Sequence, residues 1–226
     1  MRNAIRVDRH LIITTDNSGG IGEKAQDVVQ APDSLTAYFA ARVTLLEQWA
    51  ANADVMAVMI HNFSGEQSWT AYVQGVEQIL TEADLNNVSI TGSTETNMNL
   101  LQSAMSVTMI GCEQQTDLKS NASQWFTYGE PLVGEEVLRY PEKVASLEKI
   151  KHALDNGKLA QVWPTGSKGI AYEMRRIKSE NRSIQSPLDT DRSCGPSTVV
   201  LLKIDNEHIE EMQQFFGPLL QPIHTR

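Results

Sequence analysis

The sequence predicts an α+β fold, an α/β sandwich built from alternating strands and helices. Short apolar, β-branched runs alternate along the chain with segments whose apolar residues recur at helical spacing. The apolar fraction of 41% is ordinary for a globular protein, and 226 residues suffice for one large or two small domains. The polar stretch Glu113 to Gln124 lacks apolar periodicity. We therefore expect two domains, at 1–112 and 113–226.

The first half shows the order strand, loop, helix, strand, helix, strand, strand. Leu11 to Thr15 are apolar and run directly into Asp, Asn, Ser and Gly, which predicts a buried strand ending at Thr15. The continuous apolar run Val55 to Ile60 is typical of a strand covered on both faces. The other predicted elements are strands at 88–90 and 104–110 and helices at 33–51 and 69–80, with Asp33 or Ser34 as the first N-cap.

The second half repeats the alternation with shorter elements. The predicted elements are helices at 144–154, 169–178 and 209–216 and strands at 159–163 and 198–204. The polar, breaker-rich residues Ser179 to Pro196 predict a mobile loop between two of them.

Composition narrows the classes of function. The net charge is −9 and aromatic residues are only 6%, so a nucleic-acid partner is not expected. The sequence lacks an apolar run long enough for a signal peptide or a membrane span, which favours a cytoplasmic protein without a membrane partner. Cys112 and Cys194 are far apart and without metal-ligand spacing, which favours two reduced thiols over a catalytic thiol at Cys194.

The segment Thr14 to Lys24 carries the strongest chemical signal. Asp16 follows a strand, where open α/β sheets place their ligands. Three glycines, Gly19, Gly20 and Gly22, would let the backbone wrap an anion, and Lys24 adds a charge suited to phosphate. A carboxylate beside a phosphate cradle suggests bridging Mg²⁺. The spacing matches neither a Walker A loop nor a dinucleotide fingerprint, so an ordinary hairpin or connector stays open.

Two further segments could complete such a site. Thr91 to Asn97 again follows a predicted strand and concentrates hydroxyls, a carboxylate and an amide, although a capping box at a short helix would look the same. Glu47 places a carboxylate within an otherwise apolar helix, and its simpler interpretation is a solvated helix face.

In this order and separation, the three elements resemble the aminoimidazole ribonucleotide (AIR) synthase superfamily, which includes thiamine-monophosphate kinase and selenophosphate synthetase. That superfamily shows a strand ending in Thr-Asp-Gly, a glycine-bearing segment ending in Lys, an acid-bearing helix before Gly-Ala-Glu-Pro, and a Gly-Gly-acid-Thr loop. The matching positions here are Thr15, Asp16, Gly22 and Lys24, then Glu47 before Asn52 to Val55, then Thr91 to Thr94. Ser93 replaces the expected carboxylate, and Glu95 follows two residues later.

The resemblance implies a mixed-sheet N-terminal domain that binds ATP and a C-terminal α/β domain, here shortened. It implies Mg²⁺ on Asp16 and Glu47 with help from Glu95 or Ser93, catalysis by Asp16 and Lys24, and nucleotide contacts from the remaining loop residues, namely Gly19, Gly20, Gly22, Gly92 and Thr94. It also implies a homodimer in which strands from two chains share a barrel.

The loop Gly166 to Gly169 before a helix looks like part of the superfamily's C-terminal domain. Ser167 and Lys168 would bind phosphate or the acceptor, although a tight turn into a helix fits the same residues. The amino-acid sequences of Thr14 to Val29 and of Thr91 to Asn97 resemble those of the α-ribazole kinase branch of cobalamin salvage. This resemblance implies phosphoryl transfer to a ribosyl hydroxyl of a small-molecule acceptor. An ATP-dependent ligase or dehydratase and a non-catalytic nucleotide-binding scaffold remain the alternatives.

Overall fold

The computed structural model describes residues 3–8, 10–114, 122–178 and 184–225. It comprises two compact units, Met1–Gln115 and Thr116–Arg226. The predicted division between 112 and 113 falls one residue before the end of the last strand of the first unit, and much of the polar stretch that suggested it lies outside the described residues. No helix in the described ranges is long and apolar enough to cross a membrane.

The first unit is built on a five-stranded mixed sheet. The described strands of the whole unit, in chain order, are β1 (Ile5–Arg6), β2 (Leu11–Gly19), β3 (Ile21–Gly22), β4 (Val29–Gln30), β5 (Ala53–Asn62), β6 (Ser89–Thr94) and β7 (Ala104–Glu113). The sheet order is β1-β2-β7-β5-β6, with only β5 and β6 parallel, whereas β3 and β4 form a separate parallel pair. The mixed α+β character predicted from the sequence is thereby confirmed.

Two helices cover one face of this sheet, α1 (Asp33–Ala50) and α2 (Trp69–Glu82), which follows a 3-10 turn at Glu66–Ser68. The Thr14 hydroxyl donates to the Thr44 carbonyl of α1 at 3.0 Å, and Gln48 Nε2 donates to the Met109 carbonyl at 2.9 Å. The two helices lie close together because Gly75 of α2 has no side chain: a Cβ there would collide with the Ser34 carbonyl of α1. Both helices match their predicted positions.

The opposite face of the sheet is not covered by a helix of this unit. Its cross-strand rows follow from the register: Ile13 lies beside Ile110, which lies beside Ala57, and these side chains are partly exposed. Met56 of β5 is 58% exposed. Among the described residues of a single chain, Val55 to Ile60 is therefore covered by helices on one face and not on both as predicted, because α1 and α2 pack on the same side. We call this surface the open face.

The second unit contains a four-stranded antiparallel sheet of order β12-β8-β11-β9 and a two-stranded β10-β13 pair. Its strands are β8 (Ser123–Tyr128), β9 (Leu159–Pro164), β10 (Ile184–Gln185), β11 (Val200–Asp205), β12 (Leu220–Pro222) and β13 (His224–Thr225). Its helices are α3 (Glu135–Arg139), α4 (Leu147–Asp155), α5 (Gly169–Lys178) and α6 (Ile209–Phe216), with 3-10 turns at Pro141–Lys143, Asn206–His208 and Gly217–Leu219.

The sequence predicts half of the helices and strands described in this unit. Helices α4, α5 and α6 and strands β9 and β11 lie where their patterns place them, and Gly217 ends α6 with a positive φ of 74°. The sequence pattern missed β8, because polar residues flank Trp125 and Phe126, and it also missed the short elements α3, β10, β12 and β13. Of the predicted mobile loop 179–196, residues 179–183 lie outside the described part, and the remainder contains β10.

Candidate functional site

Asp16 lies within a strand rather than after one. β2 continues through the predicted loop to Gly19, and Asp16 pairs in register with Val107 of β7. Because side chains alternate along a strand, Asp16 points to the same face as Thr14, the face that α1 covers. Its carboxylate is half-buried. The predicted end of the strand at Thr15 is therefore wrong, and Asp16 is held by sheet pairing.

The backbone of Gly19 to Gly22 is less free than a phosphate cradle would require. The N–H of Gly20 donates to the Ser103 carbonyl at 2.8 Å, so it is not available to an anion. The carbonyl of Gly20 accepts from Val28 and Val29, and the carbonyl of Gly22 accepts from Ala31. Gly20 has a φ of 70°, which explains why glycine stands at this reversal. The segment 19–30, here the glycine loop, is thus a folded loop.

Lys24 bridges this loop to the neighbouring one. Its main-chain N–H donates to Asp27 Oδ2 at 2.9 Å, and its ammonium donates to the Leu100 carbonyl at 2.8 Å. The side chain is partly exposed. A phosphate ligand would have to draw the ammonium away from Leu100.

Asp27 orders the glycine loop, and the sequence analysis missed it. Its side chain is only 9% exposed and accepts three hydrogen bonds, from the N–H of Lys24 and from the N–H and hydroxyl of Ser103, the last two at 2.7 Å. Burial acts to raise the pKa of Asp27, but these hydrogen bonds outweigh it and hold the pKa below its ordinary value. The available signal was an Asp three residues after Lys24, the spacing of a turn closed by its own side chain.

Asp33 is a second buried carboxyl beside this loop. It is the first residue of α1 and is 4% exposed, although an N-capping role was predicted for it. The N-cap position belongs to Pro32, which provides no side-chain hydrogen bond. Burial raises the pKa of Asp33, and the negative charges of Glu23 and Asp27 act in the same direction.

The second predicted loop also begins as a strand. Gly92, Ser93 and Thr94 belong to β6 and pair with Ile60, His61 and Asn62 of β5. Thr94 Oγ1 accepts from Asn62 Nδ2 at 3.2 Å, and Ser93 is exposed. A Cβ on Gly92 would collide with the Ile60 carbonyl, so this glycine is explained by strand packing.

Glu95 closes the loop that contains it. One carboxylate oxygen accepts from the N–H groups of Asn97, at 2.6 Å, and Met98, at 3.1 Å. These two backbone hydrogen bonds lower the pKa of Glu95. The carboxylate is therefore engaged in a turn of its own loop. Residues 95–103 contain no helix, so the capping-box alternative does not describe this segment.

Glu47 is completely buried rather than on a solvated helix face. Its Oε2 accepts from the main-chain N–H of Asn3 at 3.2 Å, which ties α1 to the segment before β1. Within the described ranges, no group of three or more His, Cys, Asp or Glu side chains is arranged to hold a metal ion. The predicted metal set of Asp16, Glu47, Glu95 and Ser93 is thus not assembled as a three-carboxylate cluster, since Glu95 binds its own loop.

In the second unit, Ser167 and Lys168 are exposed at the start of α5. Lys168 Nζ lies 4.6 Å from the centroid of the Tyr172 ring, where the cation is attracted by the π face. The Ala171 N–H in the first turn donates to the Thr190 carbonyl at 2.9 Å, so one helix-start donor is already used. The loop is a tight turn into a helix that presents a hydroxyl and an ammonium to solvent.

Both cysteines are free. Cys194 is inaccessible, and burial raises its pKa to about 12. A thiol in that state is a poor nucleophile at neutral pH, which removes the alternative of a catalytic Cys194.

Comparison with solved structures shows the fold. HypE in the crystal structure of a HypE–HypF complex aligns with a TM-score of 0.65 at 12% identity, over 99% of this chain and 86% of that chain. Thiamine monophosphate kinase from Aquifex aeolicus aligns with a TM-score of 0.64 at 12% identity, over 99% and 88%. AaThiL complexed with AMPPCP and TMP aligns with a TM-score of 0.61 at 10% identity, over 99% and 83%.

No family model and no curated protein matches the sequence. Identities near 12% show a shared fold and leave the chemistry to the residues of this chain. The chain shares the α+β fold of these solved structures, and the predicted fold class is confirmed.

Proposed function

We propose that this chain binds Mg·ATP at the end of the first-unit sheet and transfers phosphate to a small-molecule hydroxyl. One observation carries the proposal. Asp16 is half-buried within β2, three residues before the glycine loop that contains Lys24, on a fold shared with a kinase that was solved with AMPPCP and TMP. A carboxylate and an ammonium at one sheet end are the charges that a magnesium–phosphate ligand requires.

The residues present set limits on how the metal could be held. Mg²⁺ commonly takes only one or two protein carboxylates and completes its shell with phosphate oxygens and water. Asp16 would supply such a carboxylate, whereas Glu95 is occupied by its own turn. The phosphate charge of the nucleotide would neutralise the Lys24 ammonium, once that ammonium has left the Leu100 carbonyl. Ser93 and Thr94 of β6 lie at the same end of the sheet.

The proposed acceptor is a small molecule with a free hydroxyl. In the second unit, Ser167 and Lys168 are exposed at the start of α5, and the sequence resemblance makes them candidates for binding phosphate or the acceptor. α-Ribazole is the acceptor that the sequence resemblance favours, as part of cobalamin lower-ligand salvage in the cytoplasm. Its ribosyl hydroxyl would be the nucleophile, and positioning beside the γ-phosphate would supply most of the catalysis.

We also propose a homodimer in which a second copy covers the open face. Partly exposed Ile13 and Ile110 in adjacent strands form an apolar row that water would otherwise contact. Sedimentation equilibrium should report a dimer for the wild-type chain and weaker association for Ile110→Lys. A wild-type monomer at micromolar concentration would contradict this arrangement.

The function is tested by acceptor-dependent ADP release. Purified chain, Mg·ATP and a panel of ribosyl compounds that includes α-ribazole should give turnover above the acceptor-free rate, with a phosphorylated product detectable by mass spectrometry. Phosphate release without a phosphorylated acceptor would favour a ligase or dehydratase of the same fold. No nucleotide turnover with any acceptor would favour a binding scaffold.

A further inference from the structure

A buried carboxyl oxygen without a hydrogen-bond partner lies under the glycine loop. Asp33 Oδ1 is buried and, among the described residues, has no hydrogen-bond partner. The Ser68 hydroxyl and the main-chain N–H of Glu23 hydrogen-bond to the same carboxyl group and act to lower its pKa, but burial outweighs them. The Asp33 N–H donates to Glu23 Oε1 at 3.2 Å. An unpartnered carboxylate oxygen away from water costs several kcal/mol if it is charged.

The loop packs directly onto this oxygen. A Cβ on Gly22 would lie 2.8 Å from Asp33 Oδ1 and would collide with the Ser103 hydroxyl. Gly22 itself is buried, and its carbonyl accepts from Ala31 just before α1. The contact therefore couples the position of the glycine loop to the state of the Asp33 carboxyl.

The surrounding charges oppose an ionised Asp33. The glycine loop contributes the carboxylates of Glu23 and Asp27, and α2 contributes the phenol of Tyr72, a group without positive charge. Burial raises the pKa of Tyr72 to about 12, so that phenol stays neutral. The charge and the main-chain N–H of Lys24 lower the pKa of Asp27, but the Lys24 ammonium is directed to the Leu100 carbonyl. The dipole of α1 favours charge at this position, but by less than the cost of burial.

We propose that Asp33 is a positioning residue for the glycine loop: a neutral carboxyl lets the loop close on the start of α1, and an ionised one drives it away. Closure keeps the loop between Asp16 and Lys24 in the conformation seen here. The effect on the loop stands by itself, and the consequence for Mg·ATP affinity rests on the proposed function.

The direction of the pH dependence follows from the raised pKa of Asp33. Because the folded-state pKa of Asp33 is raised, the closed loop is most stable below the ordinary Asp pKa of about 3.9 and loses stability as pH rises toward the folded pKa. Above the folded pKa the loss is complete. Asp33→Asn mimics the neutral carboxyl and should remove this pH dependence.

Amide hydrogen exchange of residues 19–24 without nucleotide, corrected for intrinsic rates, provides the test. In wild type, protection relative to Asp33→Asn should fall with pH by about tenfold for each unit between the folded and unfolded pKa of Asp33. Asp84→Asn, an exposed turn residue with a positive φ that Asn tolerates, should follow wild type. Parallel profiles for wild type and Asp33→Asn would overturn the proposal.

A titration of wild type covers the case in which Asp33→Asn does not fold. The carboxyl ¹³C shift of Asp33 should titrate above the ordinary Asp range, and a midpoint within that range would overturn the proposal.

Mg·AMPPCP affinity, measured over the same pH values, separates the role of Asp33 in the loop from the proposed function. Loss of loop protection without any nucleotide binding would support the Asp33 role and reject the proposed function.

Discussion

Asp27 concentrates more interactions on the glycine loop than any residue that the sequence singled out there. Its carboxylate joins Lys24 within the loop to Ser103 at the start of β7, so loop and sheet are held by one side chain. Hydrogen bonds to a charged, buried acceptor contribute about 1.5–3 kcal/mol each in favourable cases. The conformation of the loop therefore depends on this carboxylate as well as on its glycines.

Replacing Asp27 by Asn should lower the free energy of unfolding by about 1–3 kcal/mol, because one accepting oxygen becomes an NH₂ group facing two donors. Urea unfolding at pH 7 measures the loss. Since the folded pKa of Asp27 is lowered, its contribution is present above the ordinary Asp pKa of about 3.9 and is lost as pH falls further. The difference between variant and wild type should shrink in acid; Asp84→Asn should show neither effect.

The importance of Asp27 and Asp33 could not be read from the sequence. Residue type and position after a strand pointed to Asp16 and Lys24, but the two buried acids are defined by contacts with residues far along the chain. Glu47 shows the opposite error, since the simpler interpretation of this charged helix residue was a solvated face, yet it is fully buried. Burial of a polar side chain depends on tertiary packing that local patterns do not contain.

At the scale of elements, apolar periodicity located five of the six described helices and the strands β2, β5, β6, β7, β9 and β11, but it ended β2 and β6 too early. Both strands continue through polar residues because hydrogen bonding to a neighbouring strand does not require apolar side chains. Thr15 and Thr108 pair across the open face through their hydroxyls at 3.2 Å. A polar segment after an apolar run was therefore taken for a loop where it is the second half of a strand.

The β5–β6 pairing gives a sharp test at this scale. Gly92→Ala should lower the free energy of unfolding by about 1–3 kcal/mol, because the new methyl group would meet the Ile60 carbonyl and the ring of Trp69. Thermal or urea unfolding measures the effect. Gly19→Ala is the matched control, since nothing lies within 4 Å of a Cβ at Gly19. Equal stability of the two variants would show that β6 does not approach β5 as described.

At the scale of the whole molecule, the alternation of strands and helices was enough to predict the α+β class, and the aligned structures cover nearly the entire chain. What the fold leaves undecided is the chemistry, because the three-acid metal set implied by the resemblance is not assembled among the described residues. The proposed magnesium–nucleotide site therefore depends on Asp16 as its carboxylate ligand.

Binding of Mg·AMPPCP to wild type and to Asp16→Asn tests that dependence most directly. Ligand at about 100 times its Kd should stabilise the wild-type fold by about 2.7 kcal/mol, seen as a higher Tm. Asp16→Asn should lose most of this stabilisation while keeping its ligand-free Tm near that of wild type, and Asp84→Asn should retain it. An unchanged Tm shift in Asp16→Asn, or no shift in wild type, would contradict a magnesium–nucleotide site at this end of the sheet.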